Sequence, residues 1–269
     1  MCYDILIVGG GPAGLSAAIN GRVRGKTVLL LSSPMEDSPL WKAERVENYL
    51  GLPGVTGAEL LTAFRRHAEA SGAELRELRA LSAMPVGDRW YLSGEDQVFE
   101  GRALILAAGA VRGKPLPGEE RLLGRGVSYC ATCDGMLYRG RNVVVLGWTG
   151  SAEREADFLR SIGCAVRYYD RPQGVEILGD ETVTGVRVNG REEAVDAVFL
   201  LRPAVAPAAL LPGLAMENGS VTVDRQMATN LPGVFAAGDC TGAPYQVAKA
   251  VGEGLIAGQS AAKWADRQG

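Results

Sequence analysis

The chain has 269 residues, 47% of them hydrophobic, and a formal net charge of −3 with both signs scattered along it. That length holds one large domain or two of ordinary size. The charge balance excludes a basic groove for nucleic acid, and no run reaches the roughly 18 uninterrupted apolar residues that mark a membrane span.

Five cysteines (Cys2, Cys130, Cys133, Cys164 and Cys240) and one histidine, His67, are too sparse for a secreted disulfide framework. A structural zinc needs about four ligands, so no metal site is expected. The first strand is expected over 4–8, Asp4-Ile5-Leu6-Ile7-Val8. It begins too early to leave room for a secretory signal, so a cytoplasmic location is expected. Gly9-Gly10-Gly11-Pro12-Ala13-Gly14 follows, then a small-residue helix over 15–24 and a strand over 27–31. Strand, glycine turn, helix and strand within about 30 residues form the context of a dinucleotide fingerprint. Gly9 permits the tight turn, Gly11 lets backbone approach a pyrophosphate, and Gly14 lets the helix pack close to the sheet. The helix N-terminus attracts phosphate. The second strand ends in Ser32-Ser33 where the fingerprint has an acidic residue, so hydroxyls or backbone must hold the ribose.

The stretch 34–57 is loop-rich and contains Leu40-Trp41-Lys42-Ala43 and Val46-Glu47-Asn48-Tyr49. A helix is expected over 57–71, with Leu60, Leu61, Phe64 and Ala68 as its apolar stripe. Three short strands over 75–82, 89–92 and 97–100 form a meander. A separate strand over 103–106 returns to the parallel sheet and ends in Ala107-Ala108-Gly109-Ala110. Proline and glycine mark 112–118 as a linker. Then comes Cys130-Ala131-Thr132-Cys133-Asp134-Gly135, two thiols at the spacing of a disulfide that opens and closes during turnover. A thiolate attacks a disulfide, a neighbouring helix start or cation lowers its pKa, and the second thiol resolves the mixed disulfide. An adjacent carboxylate can shuttle the proton.

A strand over 142–146 opens a second βαβ unit, with a charged helix over 150–162 and a strand over 165–169. Between 169 and 183 there is no room for a further helix and strand of normal length. Strands are expected over 183–188, 195–201, 221–223 and 234–236. The last helix, 245–266, is expected to present Val247, Val251, Leu255 and Ile256 on one face.

Gly9 to Gly14, Val46-Glu47-Asn48, Ala107 to Ala110, Cys130 to Gly135 and Gly233-Val234-Phe235-Ala236-Ala237-Gly238-Asp239 occur in an order that resembles the low-molecular-weight thioredoxin reductases over nearly the whole chain. The resemblance implies an α/β fold of two Rossmann-like three-layer domains. The FAD domain would be discontinuous, 1–113 plus 217–269, with a truncated pyridine-nucleotide-type domain, 114–216, inserted and carrying the cysteine pair. It further implies a cytoplasmic homodimer with thioredoxin as the disulfide substrate. Gly9, Gly11, Pro12, Ala13 and Gly14 match the FAD pyrophosphate turn. Ser32, Ser33, Leu40, Asn48, Ala108, Gly109, Gly238 and Asp239 fall on further cofactor positions, Asn48 on a flavin-contacting asparagine and Asp239 on the aspartate that holds the ribityl–pyrophosphate region. Gln246, Val247 and Ala248 open the last helix, whose amides can stabilise a reduced flavin. Cys133 is expected to face the flavin, Cys130 to attack the substrate, and Asp134 to donate and accept protons.

The second fingerprint departs from the family. In Gly147-Trp148-Thr149-Gly150-Ser151-Ala152, Trp148 and Thr149 stand where the family has its second and third glycines. Tyr168-Tyr169-Asp170-Arg171-Pro172-Gln173 replaces the basic cluster that reads a 2′-phosphate, and Leu201-Arg202-Pro203-Ala204 stands where the family has a GxxPN-like turn. These departures resemble the pyridine-nucleotide-independent branch, which takes electrons from reduced ferredoxin. Three readings stay open: a disulfide reductase fed by ferredoxin, an NADPH-dependent thioredoxin reductase with an unusual nucleotide site, and a flavin-binding redox sensor. Trp148 either fills an emptied cleft or stacks on another aromatic ligand, such as a second flavin. Asp134 also suits a helix cap. Cys2, Cys164 and Cys240 read as small buried side chains and His67 as a solvated one, whereas Trp41 and Lys42 could shield a flavin or dock a partner.

Overall fold

A computed structural model describes residues 2–94, 97–109, 115–129, 131–148, 152–202 and 206–268. The chain divides into two compact units, Met1–Val111 with Ala204–Gly269, and Arg112–Pro203. No helix among the described residues is long and apolar enough to cross a membrane.

The first unit opens with β1 (Cys2–Val8), α1 (Pro12–Val23), β2 (Val28–Ser32), α2 (Gly57–Ala70) and β3 (Glu74–Glu77). Thr56 and Glu59 form a reciprocal capping box that starts α2. Leu60, Leu61 and Ala68 are buried beneath it, each leucine contributing about 2 kcal/mol. Then come β4 (Ala80–Val86), β5 (Arg89–Gly94) and β6 (Gln97–Leu106). The sheet runs β3-β2-β1-β6-β5-β4.

The stretch 75–82 is not one strand: β3 lies parallel to β2, whereas β4 lies antiparallel to β5. Likewise 97–100 and 103–106 belong to one strand, β6. Its first half, 97–101, pairs with β5, and 100–106 pair with β1. Gly101 makes this continuity possible, because a Cβ there would come within 2.5 Å of Leu6 Cγ.

The second unit contains α3 (Glu119–Leu122), β7 (Val127–Ser128), α4 (Ala131–Asp134), β8 (Asn142–Gly147), α5 (Ala152–Ser161), β9 (Ala165–Asp170), β10 (Val175–Leu178), β11 (Gly185–Val188), β12 (Arg191–Ala194) and β13 (Ala197–Leu201). Its parallel sheet runs β7-β13-β8-β9, and β10-β11-β12 form a separate antiparallel sheet. The sequence reading missed β10, a four-residue strand that alternates Val175 and Ile177 into the core. The expected strand over 195–201 is really β13 alone, with β12 preceding it.

The chain returns to the first unit through α6 (Pro207–Leu210), a β14 (Met216–Glu217)–β15 (Ser220–Val221) hairpin, β16 (Val234–Ala236) and α7 (Val247–Arg267). The segment 206–216, expected with the inserted unit, packs with the first one: Leu210, Leu211 and Leu214 are buried in its core. On α7 the buried face is Ala250, Gly254, Ala257, Gly258, Ala261, Ala262 and Ala265, not the expected aliphatic one. Leu255 is exposed. The reason is the closeness of α1: a Cβ on Gly254 would sit 2.1 Å from Ala13 O, and one on Gly258 2.6 Å from Ala17 O. Only small residues permit that crossing.

Candidate active site

In the first unit β1 and β6 lie side by side, and the chain leaves β1 toward β2 on the opposite side. Their C-terminal ends form a topological switch point, where open α/β sheets bind ligands. Gly9 follows β1 with φ 110°, and a Cβ there would lie 2.2 Å from Ala107 O, just after β6. A Cβ on Gly14 would lie 1.9 Å from Gly9 O. Above Gly11, by contrast, nothing lies within 4 Å of where a Cβ would be. Gly11 caps α1 without a side-chain bond, and Pro12 opens the helix. The turn is thus closed on its protein side and open at the helix start, a cradle that fits a pyrophosphate. Ala13 is buried, and a Cβ on Gly238 would meet its methyl at 2.8 Å.

Ser32 ends β2 and is buried beside Gly10. Ser33 follows it, and Leu40 packs against the core that contains Ala13 and Ala107. Ala108 and Gly109, the latter with φ 75°, continue from β6. Asn48 Nδ2 donates to Gln246 Oε1 at 2.8 Å. Gln246 caps α7, and Val247 and Ala248 form its first turn. Asp239 begins a short turn after Gly238, whose φ of 85° and ψ of −151° suit glycine.

The sequence reading missed the lashing of that turn. Lys249 Nζ donates to Gly238 O (2.9 Å), Thr241 Oγ1 (2.9 Å) and Gly242 O (2.6 Å). Glu253 Oε2 accepts from Gly238 N and Thr241 Oγ1, each at 2.8 Å. The pair is itself an ion pair at 3.2 Å, one helical turn apart on α7. Its i,i+4 spacing was the available signal. Cys240 is buried, its thiol donates to Leu106 O and Ala237 O, and burial pushes its pKa up to about 12. Cys2, expected buried, is exposed at the start of β1.

In the second unit, Cys130 and the side chain of Cys133 lie outside the described residues. Cys133 belongs to α4, which is followed by a 3-10 turn over Gly135–Tyr138. Asp134 Oδ2 accepts from Ser128 Oγ at 2.7 Å. Ser128 is buried and held in the sheet by β13 opposite Phe199. Cys164 is buried below the turn and donates to Tyr138 O at 3.2 Å. Met136 and Leu137 are 57% and 75% exposed directly after the motif, an apolar pair that the sequence reading did not single out.

The switch point of this unit lies between β8 and β13, by the same topology as between β1 and β6. Here the residues that follow the two strands are Trp148 and Arg202. The Arg202 guanidinium lies 5.4 Å from the Trp148 ring centroid. It also forms two bonds to Glu119, Nη1 to Oε1 at 2.7 Å and Nη2 to Oε2 at 2.8 Å. Tyr129 donates to Glu119 Oε1 at 2.9 Å, and Leu116 N to Oε2 at 2.7 Å. Burial, reinforced by the Glu119 charge, pushes the Tyr129 phenol well above its usual pKa. Tyr168 lies across the first fingerprint glycine, since a Cβ on Gly147 would meet its ring at 2.8 Å. Arg167 is paired with Glu193 at 2.6 Å. Thr149, Gly150 and Ser151 lie outside the described residues.

The family model of the pyridine nucleotide-disulphide oxidoreductases matches residues 3–182 and 171–254. The chain belongs to that family. A ferredoxin-flavin thioredoxin reductase from Clostridium acetobutylicum is similar at 39% identity and a TM-score of 0.89, over 100% of this chain and 99% of that one. A thioredoxin reductase from Gloeobacter violaceus is similar at 30% identity and a TM-score of 0.82, over 99% and 95%. The thioredoxin reductase of Listeria innocua is 32% identical over 98% of this chain and 94% of its own length. This family member is a flavoprotein disulfide oxidoreductase of the thioredoxin reductase type, built on two Rossmann-like domains, and its cofactor is FAD. The cradle at Gly9, Gly11 and Gly14 fits that group.

Proposed function

We propose that this flavoenzyme passes electrons from reduced ferredoxin, through its Cys130–Cys133 disulfide, to the disulfide of a thioredoxin. The observation that carries the donor assignment is the contrast between the two switch points. The first is open over Gly11, whereas at the second the Arg202 guanidinium lies 5.4 Å from the Trp148 ring and is tied to Glu119. A nicotinamide nucleotide needs its pyrophosphate against bare backbone at the third fingerprint glycine, where this sequence has Thr149. It also needs a basic cluster for the 2′-phosphate, and 168–173 keeps one arginine, Arg171, beside Asp170. The likeness to a ferredoxin-flavin thioredoxin reductase supports the same reading.

FAD, when bound, supplies a carrier that collects two single electrons and delivers them as a pair to a disulfide. The chain does the rest. Gly9, Gly11, Pro12, Ala13 and Gly14 hold the pyrophosphate, and Ser32, Ser33, Leu40, Ala108 and Gly109 line the same edge. Asn48 and Gln246 orient each other beside the first turn of α7, where the amides of Val247 and Ala248 offer positive potential. Gly238 and Asp239 hold the ribityl end.

Two electrons cleave the Cys130–Cys133 bond and leave a thiolate on each Sγ; one of them gains a proton, for which Asp134 is the nearby carboxylate. The Cys130 thiolate attacks one sulfur of the substrate disulfide, forming a mixed disulfide and releasing the other sulfur as a thiolate. Asp134 takes the proton from the Cys133 thiol, and the resulting thiolate attacks Cys130 Sγ. This restores the Cys130–Cys133 bond and releases the second substrate thiol. Asp134, held by Ser128, returns the proton to the departing sulfur. Met136 and Leu137 offer the substrate protein an apolar contact next to the thiols. The resemblance supports a homodimer, which sedimentation of the FAD-loaded protein measures.

The test is reduction of oxidised thioredoxin by reduced ferredoxin, with Cys133→Ser as the control. Turnover that disappears in the variant supports the reading. Absence of thioredoxin reduction by the unaltered enzyme with either ferredoxin or NADPH leaves a redox sensor instead.

A further inference from the structure

The cluster at the second switch point is built as a recognition site rather than as loose filling. Arg202 meets Glu119 fork to fork, with bonds of 2.7 and 2.8 Å. This is the planar, bidentate geometry with which arginine recognises carboxylate and phosphate alike. Each carboxylate oxygen has a second donor, Tyr129 OH on Oε1 and Leu116 N on Oε2. The Glu119 side chain is only 3% exposed and that of Arg202 19%.

We propose that Arg202 is an oxyanion site which the chain keeps filled with its own Glu119 carboxylate, so that an internal anion stands where a nucleotide phosphate would bind in this unit. The proposal rests on the reading that this unit takes no nicotinamide nucleotide, and it names the residues that enforce it.

Position supports it. Arg202 follows β13, and the last residue of β13, Leu201, pairs with Gly147 at the end of β8. The guanidinium therefore lies at the crevice between the two strands around which the order reverses. Charge supports it as well. A phosphate could reach Arg202 only by displacing a carboxylate that has no water to retreat into, and an unpaired buried charge is strongly unfavourable. Trp148 covers another side of the guanidinium. This contact uses a face of the indole on which a second aromatic ligand would have to stack.

The experiment uses the FAD-loaded protein, so that the FAD cradle is already taken, and inorganic pyrophosphate as the probe. Glu119→Gln keeps the shape and an acceptor for Tyr129 and Arg202 Nη1 but removes the charge and turns a donor toward Arg202 Nη2, which releases one arm of the fork. The melting temperature of this variant should rise by roughly 5 °C or more at a hundredfold excess of pyrophosphate over Kd. The unaltered protein, and a double variant that adds Arg202→Met, should not respond. A Glu119→Gln protein that folds only when pyrophosphate is present supports the proposal equally. A variant that melts at the same temperature with and without pyrophosphate, or stays unfolded at saturating pyrophosphate, overturns it. So does an equal response from the unaltered protein or the double variant. The donor reading is tested separately: NADPH reduction of the unaltered enzyme would remove that reading, while the pyrophosphate response of the variant would still be read by itself.

Discussion

Asn48 and Gln246, 198 positions apart in sequence, share a hydrogen bond of 2.8 Å from Nδ2 to Oε1. Asn48 lies in a loop pinned by the Val46–Val55 bridge, and Gln246 caps the last helix. Both side chains are exposed, so the bond itself adds little to stability. Asn48→Ala should change the melting temperature by less than about 3 °C, yet shift the visible absorption of the bound flavin. A spectrum identical to that of the unaltered protein would place Asn48 outside the flavin site.

Lys249 and Glu253 bind both backbone groups of Gly238 and so fix the approach to Asp239. Losing such charge-assisted bonds costs about 1–3 kcal/mol. Lys249→Met should therefore weaken FAD retention roughly tenfold, with little loss of secondary structure. Flavin fluorescence on dilution measures it. An unchanged Kd would restrict the pair to a structural role.

Ser128 acts on the chemistry only through Asp134. Asp134→Asn should lower disulfide turnover by about 10²-fold or more, and Ser128→Ala by less. Because the two form one unit, Ser128→Ala should add nothing in the Asp134→Asn background. Additive losses in steady-state turnover would separate them.

Asp4 joins the start of β1 to Thr27 and Arg102. It accepts from Thr27 N at 2.8 Å, Thr27 Oγ1 at 2.9 Å and Arg102 Nη1 at 2.8 Å. Burial alone would raise its pKa, but the two Thr27 bonds, then Arg102 and Lys26, outweigh it and hold the carboxyl below its usual range. A depressed folded-state pKa gives stability that is present above the unfolded value and lost as pH falls through the folded one. Asp4→Asn should cost about 1–3 kcal/mol at pH 7. The gap to the unaltered protein should narrow as the pH falls below about 4. A gap that stays constant in acid melts would contradict the assignment.

Much of this organisation could be read from the sequence because it rests on local chemistry. Gly9 to Gly14 announce a turn whose geometry only glycines satisfy, and the cysteine spacing announces a redox pair. What stayed hidden depends on distant packing. The alanine and glycine face of α7 is buried because α1 crosses within reach of Ala13 and Ala17, a fact that no hydrophobic stripe signals. The break of 75–82 into β3 and β4 depends on which neighbour each half finds. Trp148 read as a departure from the fingerprint, but its contact with Arg202, and the tie from Arg202 to Glu119, join three separate stretches of chain.

The central claim is that electrons enter without a nicotinamide nucleotide. The most direct measurement is an anaerobic titration of the FAD-loaded protein, followed at the flavin absorption band. Reduced ferredoxin should bleach the band within four equivalents per flavin, two electrons for the disulfide and two for FAD, while NADPH leaves it unchanged. Rapid bleaching by NADPH within two equivalents per flavin, with none by reduced ferredoxin, would contradict the account.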